Sequence, residues 1–356
     1  DDKMTDLFVK VKIHQEQNLP FCIFSKPNSE TIVGLFQKND HLYFLNDFSE
    51  KGFVFAPFDA DDFPFIPLEH SDVFVEKKQV TDFFYDNNVT HSISDLGNDF
   101  FENLVAKGVS AIKEKQFLKV VLSRKEEVEL TDFDLEIVFK KMLHHYPSAF
   151  NYCFYHPKIG MWIGATPEQF IQTNGTELKT VALAGTQIDT GKKEVFWEEK
   201  EKQEQQLVTD FILENLEDLV KEITISSPYS IKAGTIWHIK TDITAKIKNK
   251  NSLQKIITSL HPTSAVCGLP KLAAKQFILE NEGYDRDYYS GFLGELNIDL
   301  VTFKTQQSDL FVNLRCMKIN NSKAQLFIGC GITEHSIPHD EYIETVNKSM
   351  TMKKIL

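Results

Sequence analysis

Cysteine is scarce in this 356-residue sequence, and its five copies (Cys22, Cys153, Cys267, Cys316, Cys330) form no CxxC pair. That excludes a zinc ribbon and a disulfide framework, and it fits a reducing, cytoplasmic setting. No apolar run approaches the roughly 20 residues a helix needs to cross a bilayer, so no membrane attachment is expected. No secretory leader is expected, and Asp1-Asp2-Lys3 before Met4 are read as a remnant outside the fold. Positive charge is in deficit, with 39 Lys and Arg against 51 Asp and Glu, a net charge of −12. General binding of nucleic acid is therefore not expected. An anionic substrate would need a local cluster of Lys, Arg or metal to hold it against the overall field. Internal repeats and low-complexity linkers are also missing. What remains is 42% apolar and 25% charged residues, the composition of a globular protein with ample length for a core.

Residues 6–90 are short apolar and aromatic runs broken by turn residues, as in Phe21-Cys22-Ile23-Phe24, 31–36, 41–45 and 52–55, and predict strands. Over 97–115 the period turns helical, with Phe100, Leu104, Val105, Val109 and Ile112 on one stripe. Strands are expected at 117–122, 150–155, 161–163, 170–173, 178–183, 310–319 and 324–328. Helices are expected at 134–146, 196–223 and 270–280, with a last one opened by Ser336 as cap and Pro338 in its first turn. Helices and strands do not alternate regularly, which favours α+β, antiparallel sheets packed with helices in one intertwined domain, over a parallel doubly wound fold.

Two stretches mimic known motifs. Gly185 to Lys193 is close to a phosphate loop, but five residues separate its glycines instead of four, and Lys192 is followed by Lys193 rather than Ser or Thr. His335 and His339 stand among acids without the HExxH order of a zinc site.

Other stretches carry chemistry. In the last helix Glu341, Glu344 and Lys348 are spaced i, i+3, i+7 and share a face, as do Glu201 and Glu204 in an earlier one. Four carboxylates suit one hard cation such as Mg²⁺. Lys119 interrupts an apolar strand, where desolvation makes a lysine a usable general base. Glu168 follows Pro167 in a tight turn, a place for a general acid. Arg315 in mid-strand suits a carboxylate. His261 to Gly268 is a rigid loop feeding a helix.

Taken together these stretches resemble the chorismate-utilising enzymes. The resemblance rests on Lys119-Val120-Val121-Leu122-Ser123-Arg124, Gly164 to Phe170, Leu183 to Thr186, Lys200 to Val208, Leu260 to Pro270, Arg286 to Gly291, Leu314-Arg315 and Gly329 to Lys348. It covers about 115–350. It implies one chorismate-binding domain over 4–356, with 4–95 a strand-rich scaffold and 96–356 the catalytic part. It further implies chorismate as substrate and Mg²⁺ as cofactor, with Glu204 and Glu344 as ligands and Glu201 and Glu341 holding metal-bound waters. Arg315, Tyr289, Lys348, Gly329 and Gly331 would hold the substrate's carboxylates. Gly185, Thr186, His261, Thr263 and Ala265 would line its pocket. In the branch of the family that adds water, Lys119 is the base and Glu168 the acid, and the product is isochorismate. That branch needs no amidotransferase subunit, and a monomer is expected. Ala265, where salicylate-forming members carry Thr, tilts the expectation toward a reaction that stops at isochorismate. This chain departs from the family in having Glu201 and Gln205 where Asp and His are usual, and in lacking a Gly-rich turn near 297–308.

Overall fold

The structure is a computed structural model that describes residues 6–79, 97–233 and 236–356. Residues 1–3, read above as a remnant, and residues 80–95 of the expected scaffold lie outside the described residues. Seven α-helices are described: α1 (Asp6–Glu16), α2 (Asp99–Lys113), α3 (Leu135–His145), α4 (Glu199–Leu216), α5 (Ser252–Leu260), α6 (Lys271–Asn281) and α7 (Pro338–Lys353). None is long and apolar enough to cross a membrane.

The strands form two sheets, and the pairings within both are antiparallel. The first runs Gly268–Leu269, Lys119–Glu129, Lys323–Ile332, Cys316–Asn320, Gly160–Thr166, Phe150–His156, Phe21–Ser25, Thr31–Gln37, Ser71–Lys77. The second runs Val220–Ile225, Ile236–Ile247, Glu177–Ile188, Gln169–Asn174, Gln307–Val312, Phe292–Leu296, Gly52–Ala56, Pro64–Pro67, Tyr43–Phe44, with Tyr229–Ala233 also on Ile236–Ile247. The fold is α+β, as the irregular order of elements implied.

Successive side chains of a strand point to opposite faces. Phe21 and Ile23 accordingly face α1 and α3, while Cys22 and Phe24 face the second sheet. Because both faces are buried, these strands read as unbroken apolar runs. Aromatic rings fill the space between the sheets: Phe55 stacks on Phe154 at 4.2 Å and Phe150 on Phe311 at 4.3 Å between centroids.

Several elements differ from the sequence expectation. Residues 6–16 are helical, not extended. Leu7, Phe8 and Val11 form the buried stripe, but the exposed β-branched Val9 and Ile13 hide it in the sequence. In α2, Leu104, Val105 and Ile112 are buried as expected, but Phe101 heads the stripe in place of Phe100, which is 62% exposed. The long helix expected to reach Ile223 stops at Leu216, and Val220–Ile225 is an edge strand. Only Val220 of that strand is buried, too little to mark a period. The strand expected over 310–319 is two strands broken at Arg315, whose φ is +49°. Ser336 does not cap α7: the cap is Ile337, Pro338 takes the first turn, and the Ser336 hydroxyl accepts from Thr333 N at 2.9 Å.

A buried ion pair braces one end of the first sheet. Arg286 donates to Glu282 from Nε at 2.6 Å and from Nη2 at 2.7 Å, and to the carbonyls of Val121 and Val266 at 2.8 Å. Glu282 also accepts from Ser123 N at 3.0 Å. Strand, helix α6 and the loop before it are thus tied at one point. Removing one partner of such a pair strands a buried charge, at about 3–5 kcal/mol. Glu282→Ala is expected to lose stability of that order in urea denaturation followed by circular dichroism.

Candidate active site

The site lies where the first sheet's Lys119–Glu129 and Lys323–Ile332, the second sheet's Glu177–Ile188, and helices α4 and α7 meet. Tyr342 and Val346 bury one flank of α7 against Val120, Leu122, Cys330 and Ile332. Arg124 fixes the helix further, donating from Nε to Thr345 Oγ1 at 2.7 Å and lying over the Tyr342 ring at 5.1 Å. That packing leaves the stripe of Glu341, Glu344 and Lys348 for the site. On α4, Val208, Ile212 and Leu216 enter the core under the second sheet. Gln205 is buried and donates to Ala182 O at 3.1 Å and to Thr241 Oγ1 at 2.8 Å, so it fastens the helix to two strands.

Gly329 and Gly331 stand two apart on one strand and share a face. A methyl group on Gly331 would lie 3.1 Å from Lys119 Cε, and one on Gly329 would collide with the Tyr289 hydroxyl. These two glycines make room for a lysine stem and a phenol. Lys119 Nζ lies 3.5 Å from Glu204 Oε1, which faces Gly185 N at 3.5 Å. Lys348 Nζ lies 2.8 Å from Glu344 Oε1 and donates to Gly329 O at 3.0 Å.

Two carboxyls hold protons unusually well. Burial pushes Glu168 up to about 7, against the pull of the Lys119 and Arg315 charges. Glu168 sits at the edge of a mostly apolar cavity lined by Leu183, Val208, Leu260, Thr263 and Ala265, the source of that desolvation. Burial, and then the charge of Glu344, push Glu341 up to about 7 as well, and among the described residues its buried Oε2 has no hydrogen-bond partner.

Arg315 is the strongest sign of an anion site. Its guanidinium has no hydrogen-bond or ion-pair partner among the described residues, and burial lowers its pKa. A desolvated, unpaired guanidinium is costly unless an anion completes it. The Tyr289 ring is buried against Phe327, and its hydroxyl is likewise without a partner among the described residues. A residue the sequence did not single out joins them. His238 Nδ1 lies 2.9 Å from Gly185 O, so Nδ1 carries the proton, and burial lowers the ring's pKa. The neutral ring therefore keeps Nε2 as a bare acceptor. Its strand, Ile236–Ile247, went unrecognised, so the histidine was not placed.

Not every expected residue joins this group. His261 bonds Pro57 O at 3.0 Å, packs edge-on to Phe292 and is pushed down to about 3 by burial, the surroundings of a core histidine. Thr186 is exposed. Glu201 accepts from Gln187 Nε2 at 2.9 Å and from Glu198 N at 3.0 Å, closing a capping box at the start of α4. His339 pairs with Glu102 at 2.8 Å and His335 with Glu334 at 3.3 Å, so neither approaches the other's ligand set.

The expected carboxylate cluster is assembled only in pieces. Among the described residues no group of three or more His, Cys, Asp or Glu gathers closely enough to hold an ion. The donors nevertheless fit a hard cation. They are all carboxylate oxygens, one of them is buried without a partner among the described residues, and Glu204 and Glu344 each face an ammonium that balances their charge.

Residues 68–356 match the family described as chorismate binding enzyme. Isochorismate synthase EntC of Escherichia coli K12 is 29% identical over 267 residues, 72% of this chain and 66% of that protein. Isochorismate synthase MenF of Bacillus subtilis is 31% identical over 300 residues, 80% of this chain and 61% of that protein. The match thus spans less than two thirds of the length of these relatives. Among solved structures, the menaquinone-specific isochorismate synthase MenF of Escherichia coli superposes with a TM-score of 0.77 at 18% identity, covering 96% of this chain and 89% of that one. Anthranilate synthase component I of Streptococcus pneumoniae gives 0.66 at 17% identity, covering 93% and 89%. Those two likenesses speak to the fold alone. With 289 of its residues under the family's pattern, the chain belongs to the chorismate-binding enzymes.

Proposed function

We propose that this protein is an isochorismate synthase, a Mg²⁺-dependent isomerase that converts chorismate to isochorismate. The observation that carries the reading is the pair of Lys119 and Glu168 beside one unpaired guanidinium. A base and a proton-bearing acid then face a substrate held by its carboxylate.

Arg315 and Lys348 take the substrate's carboxylates, aided by the Tyr289 hydroxyl and the backbone of Gly329 and Gly331. Glu204 and Glu344, with Glu341 on its waters, would hold Mg²⁺, which when bound offsets carboxylate charge and orients the ring. Lys119 Nζ takes a proton from a water whose oxygen bonds to ring C2. The ring double bond shifts, the C4–O bond breaks, and Glu168 gives its proton to the departing hydroxyl. One water enters and one leaves, so the product is an isomer. With water as nucleophile no amidotransferase is required. The five free, buried cysteines accord with a cytoplasmic enzyme, and we take it to act as a monomer. Relatives named for menaquinone and for salicylate synthesis leave the consuming pathway to experiment.

The test is to incubate the protein with chorismate and Mg²⁺ and separate the products. Isochorismate alone supports the proposal. Salicylate with pyruvate would replace it by salicylate synthase, and absence of turnover would remove the enzymatic reading. Glu344→Ala is expected to raise the Mg²⁺ concentration for half-maximal rate at least tenfold, since even supporting residues of metal sites cost about 10- to 100-fold. An unchanged Mg²⁺ titration would contradict the ligand role.

A further inference from the structure

We propose that Thr166 is a positioning residue, a hydroxyl wedge that keeps the acid Glu168 from closing on the anchor Arg315. The chain passes between the two sheets at two places beside the site. Gly160–Thr166 in the first sheet leads through Pro167 and Glu168 to Gln169–Asn174 in the second. Gln307–Val312 in the second leads through Asn313, Leu314 and Arg315 to Cys316–Asn320 in the first. The two crossings lie side by side, and Ala165 N donates to Arg315 O at 3.0 Å. Gln169 pairs with Phe311, so the next residues in register are Glu168 and Val312. In an antiparallel ladder a hydrogen-bonded pair exchanges both backbone bonds. Here only one is direct: Val312 N donates to Glu168 O at 3.0 Å. The return bond is interrupted. Glu168 N donates to Thr166 Oγ1 at 3.3 Å, and Thr166 Oγ1 donates to Val312 O at 2.5 Å. The hydroxyl therefore stands between an amide and the carbonyl it would otherwise meet. Thr166 is wholly buried, so bulk water does not compete for these bonds.

That spacing matters because the crossings carry opposite charges. Glu168 and Arg315 each feel the other's charge, yet among the described residues no ion pair joins them. The charged groups that face Glu168 are Lys119, on Lys119–Glu129, and Arg315. The other walls around it, among them Leu183, Val208, Leu260 and Thr263, bring no charge. Both cations pull against the proton, and apolar burial outweighs them only while they stay at a distance. Arg315 in turn is open to a substrate carboxylate only while Glu168 does not occupy it. One spacing thus serves both groups. Without the hydroxyl, Glu168 N can bond Val312 O directly. The ladder then closes at this pair, and the acid is drawn toward Arg315. As an ion pair the two neutralise each other: Glu168 gives up its proton, and Arg315 is no longer free for the substrate.

The roles of acid and anchor rest on the proposed function; the wedge rests on the hydrogen bonds alone. Two substitutions separate it from ordinary packing. Thr166→Ala removes the hydroxyl but leaves Glu168 N and Val312 O able to bond each other, so the chain should fold, which circular dichroism checks. Thr166→Ser keeps the hydroxyl. The Glu168 carboxyl is followed by NMR in the full chain, labelled with carbon-13 at the glutamate carboxyls, and its signal is identified by its loss in Glu168→Gln. In Thr166→Ala its titration midpoint is expected to fall by at least about one pH unit, the lower end of what an adjacent arginine does to a carboxyl. The alkaline fall of kcat/KM should begin lower by the same amount. KM for chorismate should rise about tenfold, as for a site whose binding-competent form is about a tenth of the population. Thr166→Ser is expected to match the wild type in all three. A merely structural role would cost stability and leave the midpoint and the pH profile in place. A Thr166→Ala midpoint at or above the wild-type value would overturn the proposal. So would a Thr166→Ser midpoint lowered below it, a result that decides alone should Thr166→Ala not fold. If the wild type left chorismate unchanged, the proposed function would fall, and the titration midpoints would still decide the wedge.

Discussion

Lys119→Gln is expected to lower kcat/KM for chorismate about 100- to 10,000-fold, the range that a positioned general base contributes. Glutamine keeps the length and polarity of the stem but cannot take a proton from water. The stem itself is held between Gly331 below and Glu204 beside it, so the substitution disturbs little of the surrounding packing. Binding should separate from chemistry. On the proposed reading Arg315, Tyr289 and Lys348 hold the substrate from other elements, so chorismate and Mg²⁺ should still bind when measured by calorimetry. One complication has a clear sign. Lys119 lies 3.5 Å from Glu204, so removing its charge leaves that carboxylate freer, and Mg²⁺ affinity should rise or hold rather than fall. Turnover within tenfold of wild type would end the assignment of Lys119 as the base.

The sequence made some of this site legible and concealed the rest for physical reasons. Glu341, Glu344 and Lys348 were found because helical spacing alone puts them on one face. Lys119 stood out because a lysine is out of place in an apolar strand. Arg315 was found, but its setting was misjudged. It occupies a left-handed break between two strands, a backbone state that apolar patterning cannot reveal. His238 was missed because its strand alternates half-buried polar and apolar residues, and nothing local marks it as lying beside Gly185. Glu201 has the same i, i+3 relation to Glu204 that Glu341 has to Glu344, yet helix position separates the two pairs. Glu201 sits in the first turn, where orphan backbone donors compete for a carboxylate. Spacing predicts which side chains share a face, but not which of them the helix end will claim. The folds differ in the same way: strands buried on both faces were found from their apolar runs, whereas the edge strand Val220–Ile225 and helix α1 lacked a clean period.

Glu168 provides the second large effect, and its pH dependence can be worked out from its surroundings. Burial against an apolar cavity raises its pKa to about 7, so near neutrality a large share of molecules carry the proton that the departing hydroxyl needs. On the proposed mechanism the protonated form is the active one. As pH rises through 7 that form is depleted, and at a fixed protonation state of the base kcat/KM should fall toward a tenfold loss per pH unit on the alkaline side. Saturating Mg²⁺ during the measurement keeps the proton that Glu341 holds beside Glu344 from adding a second dependence. In Glu168→Gln the amide keeps the shape but offers no acidic proton, and kcat/KM should drop about 100- to 10,000-fold at pH 7. The residual activity should also lose the alkaline fall near 7. Both readouts are needed, because a variant that merely disturbed substrate binding would lower the rate and keep the profile. A Glu168→Gln enzyme with the wild-type pH profile would move the acid role to another group.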